Sequence, residues 1–283
     1  MTEPQIFFGT GAGRCGTMLL ANLLNNENDF LCCHEGKIRE LEESGKQWLE
    51  FLTLENLIAY QHPENADEIF RSKRKMIERI ASDKGLKGIG DVAYNNAPFT
   101  RIIPSVFPNA KLIVIVRDGR DFVRSVYTSE RPDPTPVGWL DINTDLTELE
   151  RFIEFGRLRP FDAFDEGSWW QDATPVEKNA WLWAETYRLI FDGIDLSWNR
   201  KNIHIIKFEE FITDIPGQYA EVRSFLDIDG PMPAEVKKLF EKPVNRRARD
   251  ARILPEWRMW TDEDKAFFLR HAEGMMTRLG YAF

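Results

Sequence analysis

The feature that most constrains this chain is an apolar run that enters a glycine-rich turn and leaves it as a helix. It lies near the start: Ile6-Phe7-Phe8-Gly9-Thr10-Gly11-Ala12-Gly13-Arg14-Cys15-Gly16-Thr17-Met18-Leu19-Leu20. Glycines let the backbone turn tightly and approach a ligand, and the first N–H groups of the following helix, with its dipole, favour an anion there. Gln5-Ile6-Phe7-Phe8 predicts a strand. Met18, Leu19, Ala21, Leu23 and Leu24 predict a helix that ends at Asn25-Asn26.

Three phosphate-loop readings fit this stretch. Gly11 and Gly16 have the spacing of a Walker A loop, but Thr17 follows directly where that motif requires Lys and then Ser or Thr. Gly11, Gly13 and Gly16 also match the dinucleotide fingerprint, which asks for an acidic residue about 20 positions on, and Glu35 can fill that place. The third reading rests on Arg14, a cation inside the loop, followed by Cys15-Gly16-Thr17.

With 283 residues and 43 % hydrophobic content, the chain has enough material for one large domain. A formal charge of −9 argues against general nucleic-acid binding, which needs a broad basic face, but a local cationic pocket for one anion is compatible with it. No apolar run reaches membrane-spanning length, and Met1-Thr2-Glu3-Pro4 leads into the first strand without a signal-peptide pattern, so a cytoplasmic protein with no integral membrane segment is expected. Cys15, Cys32 and Cys33 form neither an even set nor a CxxC pair, as in a reducing compartment. His34, His62, His204 and His271 lack metal-ligand spacing, so no metal is expected.

In chain order, strands are expected near 5–9, 30–33, 86–90, 111–116 and 203–207. Phe30-Leu31-Cys32-Cys33 delivers His34-Glu35 to its carboxyl end, and Leu86-Lys87-Gly88-Ile89-Gly90-Asp91 ends on a carboxylate. Lys111-Leu112-Ile113-Val114-Ile115-Val116 is a run of the kind buried on both faces of a parallel sheet, with Arg117 at its end. Helices are expected between 37 and 83, broken near His62-Pro63, and from 97 to 107, disturbed by Pro104. Further helices follow Asp118 and the capping box Thr174-Pro175-x-Glu177, with Ala180, Trp183, Tyr187 and Ile190 on a buried face. Three more lie near 216–227, 233–241 and 261–279. Residues 128–174 lose this rhythm and gain Pro and aromatic residues, which marks an insertion or a lid within a single domain of 1–283. The economical fold is α/β, a central parallel sheet flanked by helices.

Arg117 and Ser125 lie eight residues apart, at a strand end and two turns into the next helix. A guanidinium and a hydroxyl converging from separate elements suit a phosphate monoester. The plainer reading pairs Arg117 with Asp121. Taken together, Gly13-Arg14-Cys15-Gly16-Thr17 after the first strand and Arg117-Asp118-Gly119-Arg120-Asp121-x-x-x-Ser125-x-Tyr127 after the fourth resemble the sulfotransferase family that uses 3′-phosphoadenosine 5′-phosphosulfate (PAPS). Lys207-Phe208-Glu209-Glu210-Phe211 and Arg278-Leu279-Gly280-Tyr281 extend the resemblance over nearly the whole chain.

The resemblance implies a P-loop-like sulfotransferase fold and metal-free in-line transfer of a sulfuryl group to a hydroxyl or amine of a small-molecule acceptor, leaving adenosine 3′,5′-bisphosphate. It implies that Gly13, Arg14, Cys15, Gly16, Thr17 and Met18 hold the 5′ group, and that Arg117 and Ser125 hold the 3′-phosphate. Arg14 takes the place of the family's loop cation, and Met18 stands where many members carry a second hydroxyl. Asp91 matches the carboxylate base of one branch, although Val92-Ala93-Tyr94 departs from that branch's pattern, and His34 with Glu35 behind it is the rival base. The basic run Arg246 to Arg252 is a candidate flap over the 3′-phosphate. A non-catalytic nucleotide-binding module and a small-molecule kinase are the alternatives.

Overall fold

The computed structural model describes residues 3–35, 48–127, 138–139, 147–241 and 254–282. Five parallel strands, β1 (Gln5–Thr10), β2 (Phe30–His34), β3 (Gly88–Val92), β4 (Lys111–Val116) and β5 (Ile203–Lys207), form one sheet in the order β2-β3-β1-β4-β5. Leu112, Ile113, Val114 and Ile115 are fully buried, which fits the absence of polar alternation in that run.

Both faces are covered. Phe7, Ile113, Ile115 and Ile206 pack with α1 (Thr17–Leu24), α9 (Phe208–Thr213), α10 (Ile215–Phe225) and α11 (Ala234–Phe240). Phe8, Leu112, Val114 and Val116 pack on the opposite face with α3 (Ala66–Lys84), α5 (Gly119–Tyr127), α8 (Pro175–Ser197) and α12 (Asp262–Arg278). From β1 the chain crosses to β2 on one side, while β4 enters on the other and leads outward to β5. The order therefore reverses between β1 and β4, and a crevice opens beyond their carboxyl ends, where open α/β sheets bind ligands.

The break at His62-Pro63 separates α2 (Trp48–Gln61) from α3 as expected. The expected helix over 97–107 is instead a 3-10 turn at Tyr94–Phe99 and the short α4 (Ile103–Val106), because Pro98 and Pro104 withhold the N–H groups that a continuous helix would use. β3 begins two residues later than the apolar pattern suggests. Gly85 closes α3 in a left-handed conformation (φ 61°) and the Leu86 N–H returns to the Ala81 carbonyl at 2.9 Å, so Leu86 ends a helix rather than starting a strand. This shift draws Asp91 inside β3, in register with Phe8 and Cys33.

Thr174 caps α8, its hydroxyl accepting from the Glu177 N–H at 3.2 Å, but only half of the expected capping box forms. The buried Glu177 carboxylate turns instead to Arg270 at 2.8 Å and to His271 at 3.2 Å on α12. Within 128–174 the described part contains α6 (Glu148–Phe155) and α7 (Trp169–Asp172). Its aromatic residues divide. Trp139 and Trp170 are core residues in edge contact at 5.0 Å, whereas Phe155, Phe161 and Phe164 are more than half exposed. None of the described helices is long and apolar enough to cross a membrane.

Candidate active site

The turn between β1 and α1 brings three residues in succession or near succession to positive φ: Gly13 at 81°, Arg14 at 49° and Gly16 at 89°. Three positive φ values within four residues make a tight, backbone-exposing turn ahead of α1, of the kind that can hold an anion. Gly16 caps α1 without any side-chain hydrogen bond to the helix N-terminus. Gly11 passes so close to β4 that a Cβ there would lie 2.5 Å from the Ile115 carbonyl and 2.6 Å from the Cys15 sulfur. No larger residue fits at Gly11, so the loop is held against the end of β4.

Cys15 is fully buried beneath this loop. Burial pushes its thiol up to about 11, against the opposing pull of Arg117 and of the N–H groups of Gly13, Cys15 and Thr17. A neutral thiol is a weak acceptor for these donors. Thr17 is buried at the start of α1, while Met18 beside it is 42 % exposed and contributes nothing to the core there.

Beyond β4, Arg117 reaches back over the loop. Its Nη1 donates to the Arg14 carbonyl and its guanidinium stacks on the Phe208 ring, 4.5 Å from the centroid. Burial depresses its pKa, with the carboxylates of Asp121 and Glu209 opposing the shift, and a guanidinium remains charged under such a depression. The Arg117 Nε is buried without a hydrogen-bond partner among the described residues, and Thr10 Oγ1 at the end of β1 is likewise orphaned. The expected alternative, an Arg117–Asp121 pair, does not form: Asp121 pairs with Arg124 at 3.7 Å. Arg120 is consumed locally, its backbone and side chain both bonded to Asp118, which caps the first turn of α5. Ser125 closes the group from α5, accepting from Arg14 Nε at 3.3 Å. Arg14, Arg117 and Ser125 thus converge at the crevice from three separate segments.

The two candidate bases occupy the β2–β3 side. His34 ends β2, its side chain 21 % exposed, with Nδ1 2.8 Å from the Val92 carbonyl and Nε2 3.8 Å from Glu35. The carbonyl can only accept, which makes Nδ1 the donor and leaves Nε2 facing Glu35. Asp91 is 5 % exposed within β3, and its carboxylate accepts from Asn96 Nδ2 at 2.9 Å. It borders a small apolar cavity lined by Phe8, Cys33, Ile77 and Ile80. The candidate flap, Arg246 to Arg252, lies outside the described residues.

Several contributors have no motif of their own. Tyr187 and Trp183, legible only as members of an apolar helix face, direct their polar tips at the backbone of Arg117. Glu209 accepts from the Asp118 N–H at 3.0 Å and from the Tyr281 hydroxyl at 2.9 Å, tying the end of the chain to the start of α5. Asn96 joins Asp91 to the Gly9 carbonyl. An aromatic or amide within a buried face is the one hint sequence offers for such roles, since its polar end needs a partner.

A parallel sheet flanked by helices, with a glycine-rich loop after its first strand and a second cationic element after its fourth, defines the α/β class of the fold. The sulfotransferase family profile matches residues 4–155, and the chain belongs to the sulfotransferase family, whose members are transferases. Solved structures share its fold. A sulfotransferase domain from the curacin biosynthetic pathway superposes with a TM-score of 0.56 at 13 % identity, covering 99 % of both chains. A sulfotransferase of Mycobacterium avium gives 0.54 at 12 % identity, covering 100 % of this chain and 79 % of its own. One from Alicyclobacillus acidocaldarius gives 0.51 at 18 % identity, covering 100 % and 98 %. No curated protein matches the chain in sequence.

Proposed function

We propose that this chain transfers the sulfuryl group of PAPS to a hydroxyl or amine of a small-molecule acceptor by in-line displacement, without a metal. The observation that carries this reading is the convergence of Arg14, Arg117 and Ser125 on one crevice, with the Arg117 Nε buried and unpartnered among the described residues. A buried orphan donor is costly, and an anionic ligand offsets that cost. The residues fit a nucleotide with phosphate at both ends. The loop of 13–18 presents N–H groups to the 5′ group, and Arg117 with Ser125 presents a fork and a hydroxyl to the 3′-phosphate.

When bound, PAPS supplies a sulfuryl group attached to a good leaving phosphate. The chain's own residues then have three tasks. Arg14 places a cation where negative charge builds on the leaving side, and the loop amides position the group without reorganisation. A base takes the acceptor proton. Here we favour His34, whose Nδ1–H is anchored on Val92 and whose Nε2 lies at the open carboxyl end of the sheet. Asp91, the first candidate from sequence, is committed to Asn96 one residue deeper in β3. A cytoplasmic location suits the chain, whose three cysteines are free thiols.

Calorimetry with adenosine 3′,5′-bisphosphate tests the donor. Micromolar binding that Arg117→Ala weakens far more than it weakens 5′-AMP binding is the expected result. Absence of bisphosphate binding, or stabilisation by Mg-ATP in its place, would overturn the reading in favour of a kinase. Bisphosphate binding with no transfer from PAPS to any member of a metabolite pool would leave a non-catalytic nucleotide module.

A further inference from the structure

Tyr187 lies in the middle of α8 and is fully buried. In sequence it is one of the apolar positions that face the sheet, and a buried tyrosine needs only some partner for its hydroxyl. The partners it has are specific. Its oxygen accepts from the Arg117 N–H at 3.0 Å and donates to the Ile115 carbonyl at 2.9 Å, so both partners lie on β4 and the residue that follows it.

These groups belong together because of how β1 and β4 part. Their last paired rung is Thr10 with Val114. Beyond it β1 turns away into the loop, and the β4 edge that would have continued the ladder is left with the Ile115 carbonyl and the Arg117 N–H. That this edge faces the loop is fixed by Gly11, whose Cβ position lies 2.5 Å from the Ile115 carbonyl. The phenol takes the place of the missing rung, satisfying both groups at the point where the two strands diverge. One turn earlier on the same helix, Trp183 donates from Nε1 to the Arg117 carbonyl at 3.0 Å. The Arg117 backbone is therefore held through both its N–H and its C=O by α8, and the departure of its guanidinium over the loop follows from that anchorage.

We infer that Tyr187, supported by Trp183, is a positioning residue that fixes where Arg117 stands relative to the phosphate loop seated on β4, and so the spacing at which two phosphates of one nucleotide are held. The inference rests on the donor reading proposed above. A purely structural tyrosine would, on losing its hydroxyl, soften the whole site and weaken every nucleotide by a similar factor. A spacer would weaken chiefly the ligand that spans both ends.

The test compares adenosine 3′,5′-bisphosphate with 5′-AMP, by calorimetry, on the full chain and on Tyr187→Phe. The variant is expected to bind the bisphosphate about tenfold more weakly, the effect of releasing the Arg117 backbone from its anchor, and 5′-AMP less than about threefold more weakly. Trp183→Phe, which releases only the carbonyl side of Arg117, should show the same pattern if Tyr187→Phe proves too unstable to measure. Equal losses for the two nucleotides, or unchanged bisphosphate binding in both variants, would overturn the spacer role while leaving the donor reading intact. A parent protein that binds neither nucleotide would overturn the donor reading, and the spacer role with it.

Discussion

Arg14 Nε donates to Ser125 Oγ at 3.3 Å, joining the loop after β1 to the helix after β4 across 111 residues of sequence. One residue proposed for the 5′ end and one proposed for the 3′-phosphate are therefore in contact with each other. A ligand that engages both residues must act on a pair, and the effects of removing them should not add. In a double-mutant cycle of Arg14→Ala and Ser125→Ala, bisphosphate affinity is expected to show a coupling of about 0.5–1 kcal/mol. Additivity within error would mean that the two residues meet the ligand independently.

Arg14 holds a φ of 49°, a left-handed conformation that disfavours any residue with a Cβ. The strain is of order 1 kcal/mol and sits at the residue proposed to face the leaving group, where strain is tolerated for function. Arg14→Gly and Arg14→Ala both remove the cation, but only glycine releases the strain. The glycine variant should melt roughly 2–4 °C above the alanine variant, both being without transfer activity. If alanine melts at or above glycine, the conformation carries no strain.

His34 and Asp91 differ in what remains available to a substrate. With Nδ1 fixed on the Val92 carbonyl, His34 keeps its Nε2 for another partner, while the Asp91 carboxylate already accepts from Asn96. His34→Gln is expected to lower kcat by about 10²–10⁴-fold with little change in the KM for the donor, the signature of a lost general base. Asp91→Asn should act chiefly on melting temperature. The reverse pattern, with turnover lost in Asp91→Asn and kept in His34→Gln, would transfer the role to Asp91.

The sheet was readable because each strand is a short apolar run between turn residues, and the one shifted strand, β3, was misplaced by a helix cap that apolar pattern alone cannot reveal. The meeting of Arg14, Arg117 and Ser125 was readable for a related reason. Arg14 and Arg117 follow strand ends within a few residues and Ser125 lies two turns into the next helix, so strand position fixes their neighbourhood. Tyr187, Trp183 and Glu209 were not readable in this way. Their roles depend on where a phenol, an indole N–H and a carboxylate meet backbone from distant segments, and helical spacing specifies the buried face without specifying which tip meets which peptide. The Glu177 side chain shows the same limit, since its spacing from Thr174 suits a capping box while α12 offers it two hydrogen-bond partners, Arg270 and His271.

The thiols give a test of packing beneath the loop. Cys15, Cys32 and Cys33 are all buried, and burial holds the Cys15 thiol at about 11 and raises Cys32 further above its ordinary range, with Asp91 adding to the effect. Only the thiolate reacts. At pH 8 a disulfide reagent should therefore titrate fewer than one thiol per native chain and all three after denaturation. Rapid modification of one native thiol, mapped to Cys15, would show that the loop opens in solution.

The junction of α8 and α12 should make stability depend on pH. Burial lowers the pKa of His271, outweighing the Glu177 carboxylate that favours its charged form, with Arg270 adding to the depression and Trp169 stacked on the ring at 4.7 Å. His204 on β5 is also lowered by burial, against the pull of Glu221. For a histidine whose folded pKa lies below its unfolded value of about 6.5, the unfolded chain takes up protons first as pH falls. Stability is thus complete above that value and is lost as pH drops from about 6.5 toward the lower folded pKa. The melting temperature of the parent should fall across this window, and His271→Gln should flatten part of the slope while leaving His204's share. Parallel curves for parent and variant would show that His271 does not titrate on unfolding.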